Sequence, residues 1–304
     1  MPVQKYPAAN TKSPPGISVD GGSSTRALPQ MDPYGPKSRW VDIYSASNST
    51  STFTVTSDPW ITIEPSSGTL VAPGNASDQR VLISIDWASA PKGTSTSQIK
   101  IVAGTTNLNV SLPLLNSAVP SSFSGFVESD RTVTIEPEHY SSITSSASAH
   151  YEVIPNYGRT LSALTLLPIS IFTQTPPDSP KLTYNLYLFT STTASITLFL
   201  SPSLNTDPSR PLAYAIAIDD ETPVKAQYIP TTTLGTLPST WADNVRNAAA
   251  KYTTKHKVTA GAHVLSLWLL EPGVVVQRIV VDLGGMRNSY LGPGESLRVN
   301  GTTG

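Results

Sequence analysis

Apolar and polar residues alternate with a period of two through most of this chain. Between Arg39 and about Leu115 the apolar positions fall at Val41 and Ile43; Phe53 and Val55; Ile61 and Ile63; Val81, Ile83 and Ile85; Ile99 and Ile101; and Leu108, Val110 and Leu112. Successive strand side chains point to opposite faces, so each run predicts one half-buried strand. Turn-rich clusters separate the runs: Ser45 to Thr52, Pro65-Ser-Ser-Gly68, Pro73-Gly-Asn75 and Pro91-Lys-Gly-Thr94. Short strands at this spacing predict a small β-sandwich of immunoglobulin-like type over residues 31–116. Trp60 and Trp87 are large enough to be expected to dominate its core.

A second set of alternating runs follows Asn116 to Ser124, whose Ala-Val-Pro-Ser-Ser reads as a linker. It comprises Val133 and Ile135; Leu182, Tyr184, Leu186 and Leu188; Ile196, Leu198 and Leu200; Tyr214, Ile216 and Ile218; Leu265, Leu267 and Leu269; and Ile279, Val281 and Leu283. Thr190 to Thr193 is expected to turn between two apolar strands. One segment breaks the pattern. Thr240 to Lys251 has a Thr in cap position, an Asp three residues later, and Trp241 and Val245 at helical spacing, which predicts a short helix against the sandwich edge. The expected fold is all-β, with two β-sandwich domains. The second, over residues 125–300, is expected to be jelly-roll or galactose-binding-like with one short helix. Residues 1–30, rich in Pro, Ser, Gly and Thr, read as a disordered lead-in.

Composition narrows the function classes. Charged residues make up only 13% of the chain and the formal net charge is −1, so nucleic acid is not an expected partner. There is no cysteine, which excludes disulfides and thiolate metal sites but leaves the compartment open. No apolar run is long enough to span a membrane, and no apolar stretch of signal-peptide type follows Met1. A secreted parent would therefore carry its export signal upstream of this sequence. Four sequons, at Asn48, Asn75, Asn109 and Asn300, are acceptors for glycosylation if the chain passes through a eukaryotic secretory pathway.

One run of the last third reads His263-Val-Leu-Ser-Leu-Trp-Leu-Leu-Glu-Pro-Gly-Val-Val-Val-Gln-Arg-Ile-Val-Val-Asp282, followed by Gly284-Gly285 and Ser289-Tyr-Leu-Gly-Pro-Gly-Glu-Ser296. Earlier pieces in the same order are Phe126-Val-Glu-Ser-Asp130, Val133 to Tyr140, Ile154-Pro-Asn-Tyr-Gly-Arg-Thr160, Leu182 to Phe189, Leu200 to Asn205 and Tyr214 to Pro223. Asp32-Pro-Tyr34, Arg39 to Tyr44 and Ile85-Asp-Trp87 also fit. Together they resemble the C-terminal region of glycoside hydrolase family 115, the xylan α-glucuronidases. Asp58 to Gly68 separately resembles the Trp-centred strand and turn of bacterial immunoglobulin-like modules.

The family resemblance implies secretion, a xylan context and frequent dimers. The partners it implies are an upstream catalytic domain, glucuronoxylan and a second copy of the chain. It carries over no active site, because the family's catalytic acids lie in a barrel upstream of these modules and no position here matches them. The chain itself shows no alternating strand–helix repeat of the kind such a barrel needs. On its own it is expected to be an inactive accessory module. A free-standing carbohydrate-binding module and a purely structural interaction domain are the alternatives.

Candidate chemistry centres on few residues. Glu136 and Glu138 are two apart, as paired acids on one strand face would be, but glycoside cleavage needs carboxyls on opposite sides of the scissile bond. Ile135-Glu-Pro-Glu-His-Tyr140 resembles the opening strand of carbohydrate-binding modules of families 6 and 35, whose glutamates help to hold a structural calcium. That likeness makes Glu136, Glu138 and Asp282 the candidate calcium ligands; the module pattern has an acid where Gln277 stands, and Asp282 lies further along. The plainer expectation is a solvated strand face whose glutamates pair with Arg or Lys. No other cofactor is expected. His139, His150, His256 and His263 lack metal-ligand spacing and read as surface or strand-edge residues. Asp219-Asp-Glu221 reads as a solvated hairpin tip, with a metal-binding turn or an interdomain surface as alternatives. Tyr151, Tyr157 and Trp241 are candidates for stacking on sugars, although aromatics more often fill cores.

Overall fold

The period-two alternation is realised as strands almost wherever it is strong. The computed structural model describes residues 13–47, 50–71, 78–233, 235–287 and 289–300. The chain divides into two compact units, 1–118 and 119–304.

The first unit contains β1 (Gly16–Val19), β2 (Ser38–Tyr44), β3 (Ser51–Thr56), β4 (Ile61–Glu64), β5 (Ser67–Leu70), β6 (Gln79–Ile85), β7 (Gly93–Ala103) and β8 (Thr106–Asn116). They form two four-stranded antiparallel sheets, β1-β2-β6-β4 and β5-β3-β7-β8. Val41, Ile43, Val81 and Ile83 of one sheet share a core with Phe53, Val55, Ile99, Ile101, Val110 and Leu112 of the other. In β7 every second residue from Ser97 to Ala103 is buried and its neighbours are exposed.

Two expectations are corrected here. The supposed lead-in is ordered from residue 13: β1 pairs with β2, setting Ile17 against Ile43, while Leu28 and Met31 are buried and donate their amides to the carbonyls of Ser111 and Pro113 on β8. Ile17, Val19, Leu28 and Met31, spaced along a polar stretch, are enough to dock it. Residues 1–12 lie outside the described residues. Trp60 and Trp87 are only partly buried and pack at the rim of the core, whose largest buried side chains are aliphatic residues and Phe53.

The second unit contains β9 (Gly125–Val127), β10 (Thr132–Ile135), β11 (Ser142–Thr144), β12 (His150–Ile154), β13 (Ala163–Leu167), β14 (Lys181–Leu188), β15 (Thr192–Leu200), β16 (Ala213–Ile218), β17 (Val224–Gln227), α1 (Trp241–Arg246), β18 (Ala250–Val258), β19 (Gly261–Leu269), β20 (Val275–Asp282) and β21 (Arg298–Val299). One sheet runs β12-β13-β20-β15-β18, with β10 sharing the β13 edge of β20; the other runs β17-β16-β19-β14-β9-β21, with β11 beside β14. Leu182, Tyr184, Leu186, Leu265, Leu267 and Tyr214 from the second sheet meet Ile135, Ile196, Leu198, Ile279 and Val281 from the first in a single core.

The helix is shorter than expected. It stops at Arg246, Thr240 makes no capping bond through its side chain, and Ala248 takes a positive φ. Ala250 to Val258, whose Ala-rich start looks helical, pairs instead along the full length of β15. Alternate burial of Thr254, His256 and Val258 outweighs local helix propensity. Among the described residues no helix is long and apolar enough to cross a membrane.

Candidate functional site

One group of buried polar side chains in the second unit lies on the outer face of the six-stranded sheet. The register Ile135↔Ile279 carries Glu136, just past the end of β10, to the side of Arg278 on β20. Both side chains are almost fully buried, and Arg278 Nη2 donates to Glu136 Oε1 at 2.6 Å. Thr160 Oγ1 donates to the same oxygen at 2.5 Å and is also in contact with Arg278 Nη2. The other end of the guanidinium, Nη1, donates to the carbonyls of Pro293, at 3.0 Å, and Leu291.

A crossing segment closes this pair from above. Ser296 exchanges bonds with the backbone of Thr134, and Glu295 accepts from the Glu136 amide at 2.9 Å and contacts His139 Nδ1 at 2.8 Å. Gly292 has φ +78°, and a Cβ there would sit 3.3 Å from Arg278 Nη1 and 3.5 Å from the Phe199 ring. The left-handed turn and the close approach both call for glycine.

Calcium needs roughly six to eight oxygens around one point. The three expected ligands are not brought to one point. Glu138 lies beyond the end of β10, half-buried in the turn, so the two glutamates do not share a strand face. Asp282 pairs with Thr132, four residues from Glu136 in the register, which at ~3.3 Å per residue is about 13 Å along the sheet. Its Oδ1 accepts from the amides of Gly284, Gly285 and Met286. Gln277 Nε2 donates to Ser201 Oγ and the Ala248 carbonyl. Glu136 already has a guanidinium against it. These residues, as placed, do not fit a calcium shell, and among the described residues no three His, Asp or Glu gather as a metal site.

Beside the Glu136–Arg278 pair lies a second group that the sequence did not single out. Phe199 points outward from β15 and is buried with Ala249 and Val280. The Arg159 guanidinium lies 5.6 Å from the Phe199 ring centre and 4.3 Å from that of Tyr290. Lys251, opposite Phe199 on β18, places Nζ 4.6 Å from the same Phe199 ring. Burial first, and then the nearby Arg159 charge, lowers the Lys251 pKa. Lys255 and Lys257 continue the outward stripe, with Lys255 Nζ bonded to Ser195 Oγ at 2.5 Å. The outward spacing of Lys251, Lys255 and Lys257 is the sequence signal for this face, and the helix-favouring alanines before it mask its start.

Three of the remaining candidates, Tyr151, His256 and His263, are structural ties. Tyr151 is buried, its hydroxyl bonded to the Pro180 carbonyl at 3.0 Å. Tyr157 is exposed and Trp241 half-buried. His256 and His263 are buried rather than on the surface, although His256 does lie on the edge strand β18. His256 pairs with Glu221, and His263 with Asp219 at 2.7 Å. The acidic triplet thus fastens two strands to its turn. His263 and Asp219 line an open groove of about 410 Å³ with Phe123, Asn185 and Val264.

Residues 125–295 match the family model described as the glycosyl hydrolase family 115 C-terminal domain. No curated protein sequence matches the chain. Among solved structures, one similar chain is a family 115 4-O-methyl-α-glucuronidase with specificity for decorated arabinogalactans, at TM-score 0.34 and 18% identity; the match covers 47% of this chain and 17% of that enzyme. A family 35 carbohydrate-binding module from Paenibacillus barcinonensis gives TM-score 0.32 and 17% identity, covering 49% of this chain and 97% of the module. The C-terminal family 6 module of a Zobellia galactanivorans laminarinase gives TM-score 0.32 and 14% identity, covering 50% of this chain and 98% of the module.

Proposed function

Because the chain belongs to glycosyl hydrolase family 115 through its C-terminal domain, we propose that it works as a noncatalytic accessory module of a glucuronidase. The observation that carries this reading is that the family match, residues 125–295, falls within one compact unit built as a closed two-sheet sandwich. Its buried acids support it. Glu128 accepts from the amides of Phe189 and Thr190, Glu136 is spent on Arg278, and Glu271 on Arg210 and Thr173. Acids committed to such bonds are poorly placed to attack a glycosidic bond, which takes one carboxyl on each side.

In the parent enzyme the module would pack on the catalytic domain, support a dimer or contact glucuronoxylan. Export of the parent would bring the exposed Asn109 and Asn300 to the glycosylation machinery; Asn48 and Asn75 lie outside the described residues. The test is incubation of the purified chain with aldouronic acids. No release of methylglucuronate is expected, and release at an enzymatic rate would overturn the reading.

A further inference from the structure

Two cations beside the Phe199 ring, Arg159 and Lys251, have no carboxylate partner among the described residues. Arg278 is matched by Glu136. Arg159 and Lys251 are matched by nothing: among the described residues neither has a carboxylate partner, and Arg159 Nε and Nη1 are buried without a hydrogen-bond partner. Buried N–H groups of a guanidinium left unbonded are costly, and the charge of Arg159, felt at Lys251, adds to that cost. Both lie against the same Phe199 ring, whose face eases but does not neutralise their charge. Tyr290, stacked on Arg159 and 62% exposed, adds a flat apolar surface at the rim.

An anion bound at the guanidinium edge would satisfy it with a charge-assisted bond and offset the charge felt at Lys251. A flat ring carrying that anion would gain contact with Tyr290, since aromatic side chains offer large rigid contact area. We propose that Arg159, Lys251 and Tyr290 bind the carboxylate of a hexuronate residue on an acidic polysaccharide. The choice of a sugar acid over other anions rests on the accessory-module reading above.

The experiment is calorimetric titration of the full chain, at low salt, with free D-glucuronate, with neutral xylotriose and with inorganic sulfate. Glucuronate cannot be hydrolysed, so the result is independent of the aldouronic-acid assay. Hydrolysis there would remove the accessory reading and leave this binding result standing. Saturable binding of glucuronate and none of xylotriose is expected. Arg159→Gln and Lys251→Gln should each weaken it by about tenfold, the worth of one charge-assisted bond. Lys251→Arg should retain binding, and Lys255→Gln should leave it unchanged. Melting curves equal to the parent chain's would show that the variants fold. Absence of glucuronate binding, or unchanged binding in folded Arg159→Gln and Lys251→Gln chains, would overturn the proposal. So would sulfate binding as tightly as glucuronate, which would mark an unselective anion site.

Discussion

The two sandwiches solve the same problem with different means. The first keeps its interior almost wholly apolar; Asp32 and Arg39 are the buried charged residues among those described, and Arg39 reaches Asp20 and the Gln30 carbonyl. The second buries Glu128, Glu136, Glu271, Arg278, His256 and His263, each with a partner. For Glu136 and Arg278 the difference arises on an outer sheet face. In the second unit a crossing segment, Tyr290 to Ser296, covers side chains that would otherwise meet solvent, and a covered polar group must find a bond. Covering a sheet face thus turns a solvated pattern into a set of obligatory pairs.

The largest expected effect breaks one such pair. Arg278→Met leaves Glu136 buried with no cation, and removing one partner of a buried ion pair costs about 3–5 kcal/mol. Urea denaturation followed by hydrogen exchange should localise the loss to residues 125–295. The double variant Glu136→Leu, Arg278→Met should recover much of it, because a buried pair replaced by apolar residues is close to neutral. A single variant within about 1 kcal/mol of the parent would show that the pair is wet or dispensable, contrary to its burial.

In the first unit a comparable probe is steric. Ile83 is fully buried between the two four-stranded sheets. Ile83→Val removes one methylene and should cost about 1 kcal/mol, localised to residues 16–116, with no dependence on salt or pH. The same change showing strong pH dependence would mean that the first core is not the simple apolar interior described.

This contrast also explains what was legible. Val41/Ile43, Ile99/Ile101 and Leu182/Tyr184/Leu186 announced their strands because one face is core and the other solvent. Arg278 and Phe199 did not announce themselves, and Glu136, expected to pair with an Arg or Lys on a solvated face, pairs with Arg278 under cover, because a period-two pattern assigns every outward residue to water. The cover comes from a segment more than a hundred residues from Glu136 in sequence. β18 was misread because Ala248, Ala249 and Ala250 favour a helix locally, while pairing with β15 decides the outcome. The calcium trio failed on register: the likeness to other modules matched residue types, whereas the alignment of β10 on β20 puts Asp282 beside Thr132.

The smallest expected effect concerns a device that both units share. Asp86 in the first accepts from Ser89 Oγ at 2.7 Å and from the Ala88 amide at 3.1 Å. Asp207 in the second accepts from the Ser209 hydroxyl at 2.7 Å and its amide at 2.9 Å. In each, the serine hydroxyl first and the backbone amide next lower the carboxyl pKa below its ordinary value of 3.8. A folded-state pKa below the unfolded one means that the unfolded chain binds more protons in that window. The stabilisation is therefore complete above the unfolded value and disappears as pH falls through the folded one. Asp86→Asn and Asp207→Asn should each cost less than Ile83→Val at neutral pH, because both turns are solvent-exposed. The gap to the parent chain should close as pH drops below the ordinary carboxylate range, and by similar amounts in the two units. A gap that persists in acid would assign the effect to the shape of the turn. A gap present in one unit alone would mean that the covered sandwich feels these surface charges differently from the open one.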